Sequence, residues 1–327
     1  MQVIENVSEE IWNQIAASCG HATFFHSPAW ARIIHQTYPN YKSATLLFKF
    51  GADDLVLLPM MEIGREFRGL YRTLYSNVPW VYGGFISNRT LSNWKMRLVM
   101  NYLRGLRTSW IEITGNPFAN LDAFFDGWDK KANYNHVLEL ESFDSEDELL
   151  KSYEHNVRQQ VKKAIRENLS YAKAQDLGEI RDYYQIYLEA VRRWGKTEDQ
   201  AYPCELFAHC FNSHHPGIAF WIVKKDHKVI GGNLNFYWNE HCVEWHCAYL
   251  QDYFKFGVRN FLVHRLVNDA RQAGYKYYDF NPSGGNKGTE RFKENFGAQK
   301  RPFHDYRLEN DAVIYRALKI ARTIVRR

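Results

Sequence analysis

Five basic side chains recur along one stretch of the chain: Lys151, His155, Arg158, Lys162 and Arg166, at spacings of four, three, four and four. On a helix this spacing gathers them into one stripe. Such a stripe can follow the phosphates of RNA or of a nucleotide, or it can be a solvated helix face with intrahelical ion pairs. His241, Cys242, His246 and Cys247 have the chemistry of metal ligands. Strand alternation, however, puts His241 with Cys247 on one face and Cys242 with His246 on the other. Neither face collects three good ligands, so no metal site is expected. The loop Gly284-Gly285-Asn286-Lys287-Gly288-Thr289 enters a helix and could hold an anion on free N–H groups. Its order is not the Gly-Lys-Ser/Thr of a P-loop, and a plain strand-to-helix turn accounts for it equally. No serine nucleophile elbow and no recognisable carboxylate pair occurs, which disfavours covalent hydrolysis.

The elements that must position these groups are clearest in the second half. Ser145-Glu146-Asp147-Glu148 has the form of a capping box. Leu149, Tyr153, Val157, Val161, Ala164 and Ile165 follow at helical spacing, predicting one helix to about residue 168. Leu177, Ile180, Tyr184, Tyr187, Leu188 and Val191 predict a second, stopped at Gly195. Strands are expected over 218–223, 229–238 and 241–249, with Gly231-Gly232 a bulge or a close approach. A helix over 258–273, a strand over 276–280, a short helix over 289–296 and a strand over 302–308 complete this half. The first half repeats the order approximately. Short helices are expected over 9–17 and after Ser27-Pro28, and strands over 42–50, 56–63, 70–75 and 80–86. A helix over 91–106, a strand over 110–113, a helix over 121–128 and a strand over 135–140 follow. The sequence thus reads as two versions of one α/β unit with mixed sheets, 1–143 and 144–310, joined near 141–145.

With 327 residues, 45% of them apolar, the chain has material for about two ordinary domains and is not a disordered chain. No apolar run reaches membrane-spanning length, and the N-terminus lacks the basic-then-apolar pattern of a secretory signal, so a soluble cytoplasmic protein is expected. Five cysteines, an odd number with no CxxC pair, argue against a disulfide framework. In residues 311–327, Ile314, Leu318, Ala321 and Val325 mark one apolar face, beside Arg316, Lys319, Arg322, Arg326, Arg327 and Asp311. That tail carries +4 of the net +5, leaving the rest nearly neutral at +1. Net charge is therefore no general licence for nucleic-acid binding. The tail reads as a helix packed on the body, with a peripheral role at a membrane surface as the other reading.

Gly274-Tyr275-Lys276-Tyr277-Tyr278-Asp279-Phe280, a glycine-rich loop, then Arg291-Phe292-Lys293-Glu294-Asn295-Phe296-Gly297-Ala298 resembles the signature of the FemAB family. These peptidyltransferases add amino acids to the peptidoglycan precursor, and their wider group includes BioF2-like acyltransferases. Ser27-Pro28-Ala29-Trp30, Val78-Pro79-Trp80-Val81-Tyr82-Gly83-Gly84 and the basic run from Arg158 to Arg166 agree with the resemblance. Glu189-Ala190-Val191-Arg192-Arg193-Trp194-Gly195 resembles the family's E-T-x-x-R-x-G segment, with Ala190 where Thr is frequent. The resemblance implies two tandem GNAT-like acyltransferase domains, the second carrying the Phe-Lys-x-x-Phe-Gly-Ala run, with the C-terminal helix returning to the first. This chain has no coiled-coil insertion and resembles the shorter members.

By position, Lys293 matches the family lysine near the reacting acyl group and Phe292 the residue beside it. Arg193 matches an arginine that holds the acceptor's phosphates. Tyr82, Gly83, Gly84, Asn260, Arg158 and Lys162 are the further substrate-binding candidates, with the acceptor expected in a cleft between the domains. The resemblance implies no tightly bound cofactor. The segment from Gln251 to Asn260 lacks the paired small residues of the acetyl-CoA loop R/Q-x-x-G-x-G/A, which favours aminoacyl-tRNA or another acyl donor over acetyl-CoA. Expected partners are an envelope-precursor acceptor and tRNA, with no DNA and at most peripheral contact at the inner face of the membrane. Two alternatives stand beside this reading. One is an acyl-CoA-dependent N-acyltransferase of amino sugars or polysaccharide precursors. The other is a non-catalytic RNA- or envelope-binding protein using the stripe.

Overall fold

A computed structural model describes the chain except residues 67–70, 77, 79, 80, 311–316, 318, 319 and 321–327, and the side chains of 65, 66 and 71. The chain forms two compact units, Met1–Tyr134 with Pro302–Arg327, and Asn135–Arg301. Both divisions fall inside strands, between 134 and 135 and between 301 and 302, and not at the 143/144 and 310/311 expected from the sequence.

The first unit begins with β1 (Gln2–Ile4), α1 (Glu9–Ser18) and α2 (Pro28–Thr37). Ser27 caps α2 by accepting from the Trp30 N–H, and Pro28 sits in the first turn, where its missing N–H costs nothing. Next come β2 (Lys42–Ser43), β3 (Leu46–Lys49), β4 (Leu55–Leu58), β5 (Met61–Glu66), β6 (Tyr71–Tyr75), β7 (Ile86–Ser87), α3 (Asn93–Arg104), β8 (Trp110–Thr114) and the start of β9 (Asp129–Glu139). Each of the single strands expected over 42–50 and 56–63 is two strands. The chain crosses between sheets at Ala44-Thr45 and at Pro59-Met60. β3 and β4 join β1 and β7, whereas β2 and β5 join β6, β8 and β15 (Gln299–Glu309). The strand expected over 80–86 survives only as β7 at its end, and Trp80 lies outside the described residues. The helix expected over 121–128 is a single 3-10 turn, Asp122–Phe124. Its helical spacing reflects Phe125 and Trp128 entering the core rather than a helix face. Of residues 311–327, expected to form a helix, only Ala317 and Ile320 are described, and the rest lie outside the described residues.

The second unit contains α4 (Glu146–Ser152), α5 (His155–Arg166), β10 (Ser170–Lys173), α6 (Leu177–Arg193), α7 (Cys204–Asn212), β11 (Ile218–Lys225), β12 (Lys228–Trp238) and β13 (His241–Tyr249). α8 (Val258–Gln272), β14 (Tyr277–Pro282) and α9 (Lys287–Glu294) follow. The strand order is β10-β11-β12-β13-β14-β9, antiparallel except for the pair β13/β14. The meander is forced by short turns, and the parallel pair by α8, which crosses between its strands. Gly231-Gly232 is the close approach expected: a Cβ on Gly232 would lie 2.5 Å from the Trp221 carbonyl oxygen. Leu149, Val161, Val258, Leu262, Leu266, Tyr278 and Phe296 lie at the centre of this unit's core.

The single helix expected over 145–168 is broken. α4 ends at Ser152, Tyr153 is extended, and α5 starts at His155. Apolar spacing runs through the break because Leu149, Tyr153 and Val157 all enter one core. The break is fixed from outside the local sequence: the Glu154 N–H donates to the Asn295 carbonyl at 2.9 Å. The Arg158 guanidinium donates to the Lys151 and Tyr153 carbonyls at 3.0 and 2.6 Å. The five-residue stripe is therefore divided between two helices, and Arg158 serves the join.

Candidate functional site

Parallel pairing of β13 with β14 runs from His241↔Tyr277 to Val243↔Asp279 and stops. Just beyond it, β13 shifts register against β12, with Leu234 opposite His246 and Asn235 opposite Glu244, so Trp245 is an extra residue. β14 shifts against β9 between Asp279 and Pro282. Two irregularities face each other where the strands part, a place where side chains can be re-aimed.

Lys293 occupies this place. Asn286 accepts from the Thr289 N–H to start α9, which carries Lys293 inward until it is 3% exposed. Its Nζ donates to the Asn281 carbonyl oxygen at 2.6 Å. Burial pushes its pKa down to about 8, against the upward pull of the Glu244 and Asp279 carboxylates; the Arg259 guanidinium adds to the depression. Glu244 is itself buried, which raises its pKa, and its carboxylate accepts from Asn233 Nδ2 at 3.0 Å and from the Tyr278 hydroxyl at 2.9 Å. Tyr249 donates in turn to the Asn233 side-chain oxygen. Asp279, fully buried, accepts from Asn135 Nδ2 at 2.9 Å on both oxygens and from the Asn281 N–H at 2.8 Å. A buried ammonium surrounded by carboxylates and amides keeps a proton that burial alone would strip.

Phe292 is half-buried beside Lys293. The Arg259 guanidinium carbon lies 3.6 Å from its ring centroid, and Phe296 packs at 5.0 Å. Arg193, at the end of α6, lies 5.1 Å over the Phe254 ring in the turn that leads into α8. Arg193 Nη1 and Arg259 Nε are buried without hydrogen-bond partners. α8 begins at Gly257, whose φ of +74° suits glycine and whose Cβ would meet the Gln160 carbonyl oxygen at 2.5 Å. Asn260, in the first turn of α8, is half-buried, and Lys162 is exposed on α5. Tyr82 belongs to the other unit, where it is fully buried with its ring centroid 5.3 Å from that of Phe25. The Gly83 N–H donates to the Thr114 carbonyl at 3.0 Å, and Gly84 is buried. So α9 and the entry to α8 bring together Lys293, Phe292 and Arg259. Arg193 joins Phe254, and Arg158 is engaged elsewhere.

The histidines and cysteines of β13 are held singly. His241 stacks on Tyr277, Cys242 Sγ accepts from Asn235 Nδ2 at 3.5 Å, and His246 Nδ1 meets the Tyr183 hydroxyl at 2.6 Å. Among the described residues no three His, Cys, Asp or Glu side chains are grouped to hold a metal ion. Glu244, Asp279, Asn281, Asn135 and Arg259 are not among the residues the sequence singles out as candidates. A signal for two of them was present: a lone carboxylate inside an apolar strand, Glu244 after Val243 and Asp279 between Tyr278 and Phe280, demands a buried partner.

Residues 151–294 match the family of the acetyltransferase (GNAT) domain. No curated protein matches the sequence. The crystal structure of FemX is 13% identical and superposes with a TM-score of 0.74, covering 97% of this chain and 99% of FemX. The C-terminal domain of a putative lysylphosphatidylglycerol synthetase from Agrobacterium fabrum is 14% identical, with a TM-score of 0.58 and 96% of each chain covered. A tandem GNAT protein from the clavulanic acid biosynthesis pathway is 8% identical, with a TM-score of 0.53, covering 94% of this chain and 98% of that one. The class is therefore the mixed α/β fold of tandem GNAT proteins. Within it the chain shares the fold of FemX over nearly its whole length. No described helix is long and apolar enough to cross a membrane.

Proposed function

We propose that this protein is an acyltransferase that forms an amide, moving an aminoacyl or acyl group onto an amino group of a cell-envelope precursor of the peptidoglycan type. The observation that carries the reading is Lys293, buried yet kept chargeable where β13 and β14 part. In the reaction the acceptor amine attacks the donor's ester or thioester carbonyl, and negative charge develops on the carbonyl oxygen. The N–C bond forms, the O–C or S–C bond breaks, and the amine's proton leaves with the alcohol or thiol. A fixed ammonium placed in advance stabilises the charge as it appears, and low polarity around it strengthens the effect. Phe292, clamped under Arg259, walls the site beside the lysine. Arg193, with one guanidinium nitrogen unpartnered, is the candidate for phosphate on the substrate. Lys293→Met is expected to lower turnover by about a thousandfold with the fold intact, as losing a charge stabiliser does. Near-normal turnover would remove the assignment.

The GNAT match favours a second reading of the donor, acyl-CoA rather than aminoacyl-tRNA, with an amino sugar or polysaccharide precursor as acceptor. Titration calorimetry with CoA and with charged tRNA separates the two: micromolar CoA binding without tRNA binding selects acyl-CoA. For the non-catalytic reading, His155, Arg158, Lys162 and Arg166 stay on α5 while Lys151 lies on α4 and Arg158 is tied to the join.

A further inference from the structure

We propose that Asn281 is a positioning residue that aims Lys293, and that Asp279 and Asn135 hold Asn281 in place. This rests on the reading of Lys293 as the cation beside the reacting carbonyl. Between Asp279↔Val137 and Pro282↔Asn135, β14 carries one residue more than β9. The bulge is taken up with Asn281 in the left-handed region, at φ +60°. Asparagine tolerates that conformation better than most residues, yet glycine would adopt it more readily.

The left-handed turn directs the Asn281 carbonyl at Lys293 Nζ, 2.6 Å away. Its N–H is tied to Asp279 Oδ1, which Asn135 restrains in turn. Its Nδ2 donates to the Glu244 main-chain carbonyl at 3.3 Å, linking β14 to β13 beyond the last parallel pair. Asn281 is 6% exposed, and its Oδ1 has no hydrogen-bond partner. A residue chosen for stability alone would avoid both the left-handed turn and the orphan oxygen. One chain of contacts thus runs from Asn135 through Asp279 and Asn281 to the ammonium.

The test reads Lys293 directly. Trace acetylation with acetic anhydride across about pH 6 to 10, followed by mass spectrometry of the Lys293 peptide, gives its titration without any natural substrate. The groups facing Lys293 are Glu244, Asp279, Arg259, Cys247 and His136, and all stay in place in the Asn281 variants. Wild type is expected to titrate at about 8. In Asn281→Ala the left-handed turn is refused, the ammonium loses its acceptor, and the titration moves lower. Asn281→Gly keeps the turn and the carbonyl, and restores most of the shift. Equal titration of wild type and Asn281→Ala would overturn the proposal, as would equal shifts in Ala and Gly variants. Should Asn281→Ala not fold, Asn135→Ala, which touches neither Lys293 nor its carbonyl acceptor, is expected to lower the Lys293 titration; no change would overturn the proposal. An active Lys293→Met would sink the functional reading while leaving these titrations to judge Asn281 on their own.

Discussion

Lys293, buried, and His246, half-buried, are two bases of the same unit, and their surroundings pull them apart. His246 is pushed down to about 3 by burial. Rings crowd it, with Tyr187 at 4.4 Å and Phe207 at 5.0 Å between centroids, and its polar contact is the Tyr183 hydroxyl. Lys293 is depressed only to about 8, because Glu244 and Asp279 oppose the burial. Desolvation by itself neutralises a base; desolvation with carboxylates at hand leaves one that can be charged in a dry setting. The first environment builds a core, and the second builds a reagent.

The widest separation between the two should appear in turnover. Where Lys293→Met removes about three orders of magnitude, His246→Phe should leave transfer within about twofold, since it removes no charge from the site. Steady-state rates with either donor class measure both. A His246→Phe protein that is folded but as slow as Lys293→Met would erase the distinction.

Acid stability is the next test. The His246 pKa is lower in the folded chain than in the unfolded one, so below 6.5 the unfolded chain binds a proton that the folded chain refuses. Stability due to this group is present above 6.5 and falls with pH. Between 6.5 and about 5 the loss should be about 1.5 kcal/mol, and His246→Phe should lack it. Urea midpoints at the two pH values give the difference; parallel curves for both proteins would show that another group is responsible.

Lys293 should act on the alkaline side, with an effect of similar size. Its folded pKa of about 8 lies below the 10.5 of an ordinary lysine, so within that window the unfolded chain binds more protons and stability rises with pH. Relative to Lys293→Met, wild type should gain about 1.5 kcal/mol between pH 8 and about 9.5. A constant difference would mean that Lys293 titrates like a surface lysine and that burial does not depress it.

The contrast between these two bases was only partly legible in the sequence. Local rules located the cap at Ser27-Pro28, the helix ending near Gly195, the three-strand meander and the close approach at Gly231-Gly232, because each depends on neighbours in the chain. Lys293 was reached through its motif, since a lysine on a short helix carries no local sign of burial. Asn281, Asn135 and Glu244 stayed hidden because their role depends on strands meeting from distant parts of the chain. The break at Tyr153 stayed hidden for the same reason: apolar spacing continues through it, while Asn295 and Arg158 impose it.

Tyr183→Phe gives the smallest expected effect and tests the cause assigned to His246. The Tyr183 hydroxyl, on a fully buried side chain, lies 2.6 Å from Nδ1 of the half-buried His246. Removing it leaves one imidazole nitrogen without this partner and should lower stability by about 1 kcal/mol. If burial holds His246 neutral, as its apolar cage implies, that loss should be the same at pH 6.5 and at about 5, giving a shifted but parallel curve. If the hydroxyl were what held the imidazole neutral, Tyr183→Phe would let it charge at mild acidity and flatten the acid slope. The slope, rather than the size of the loss, decides which environment His246 occupies and whether its contrast with Lys293 is one of carboxylates or of hydrogen bonds.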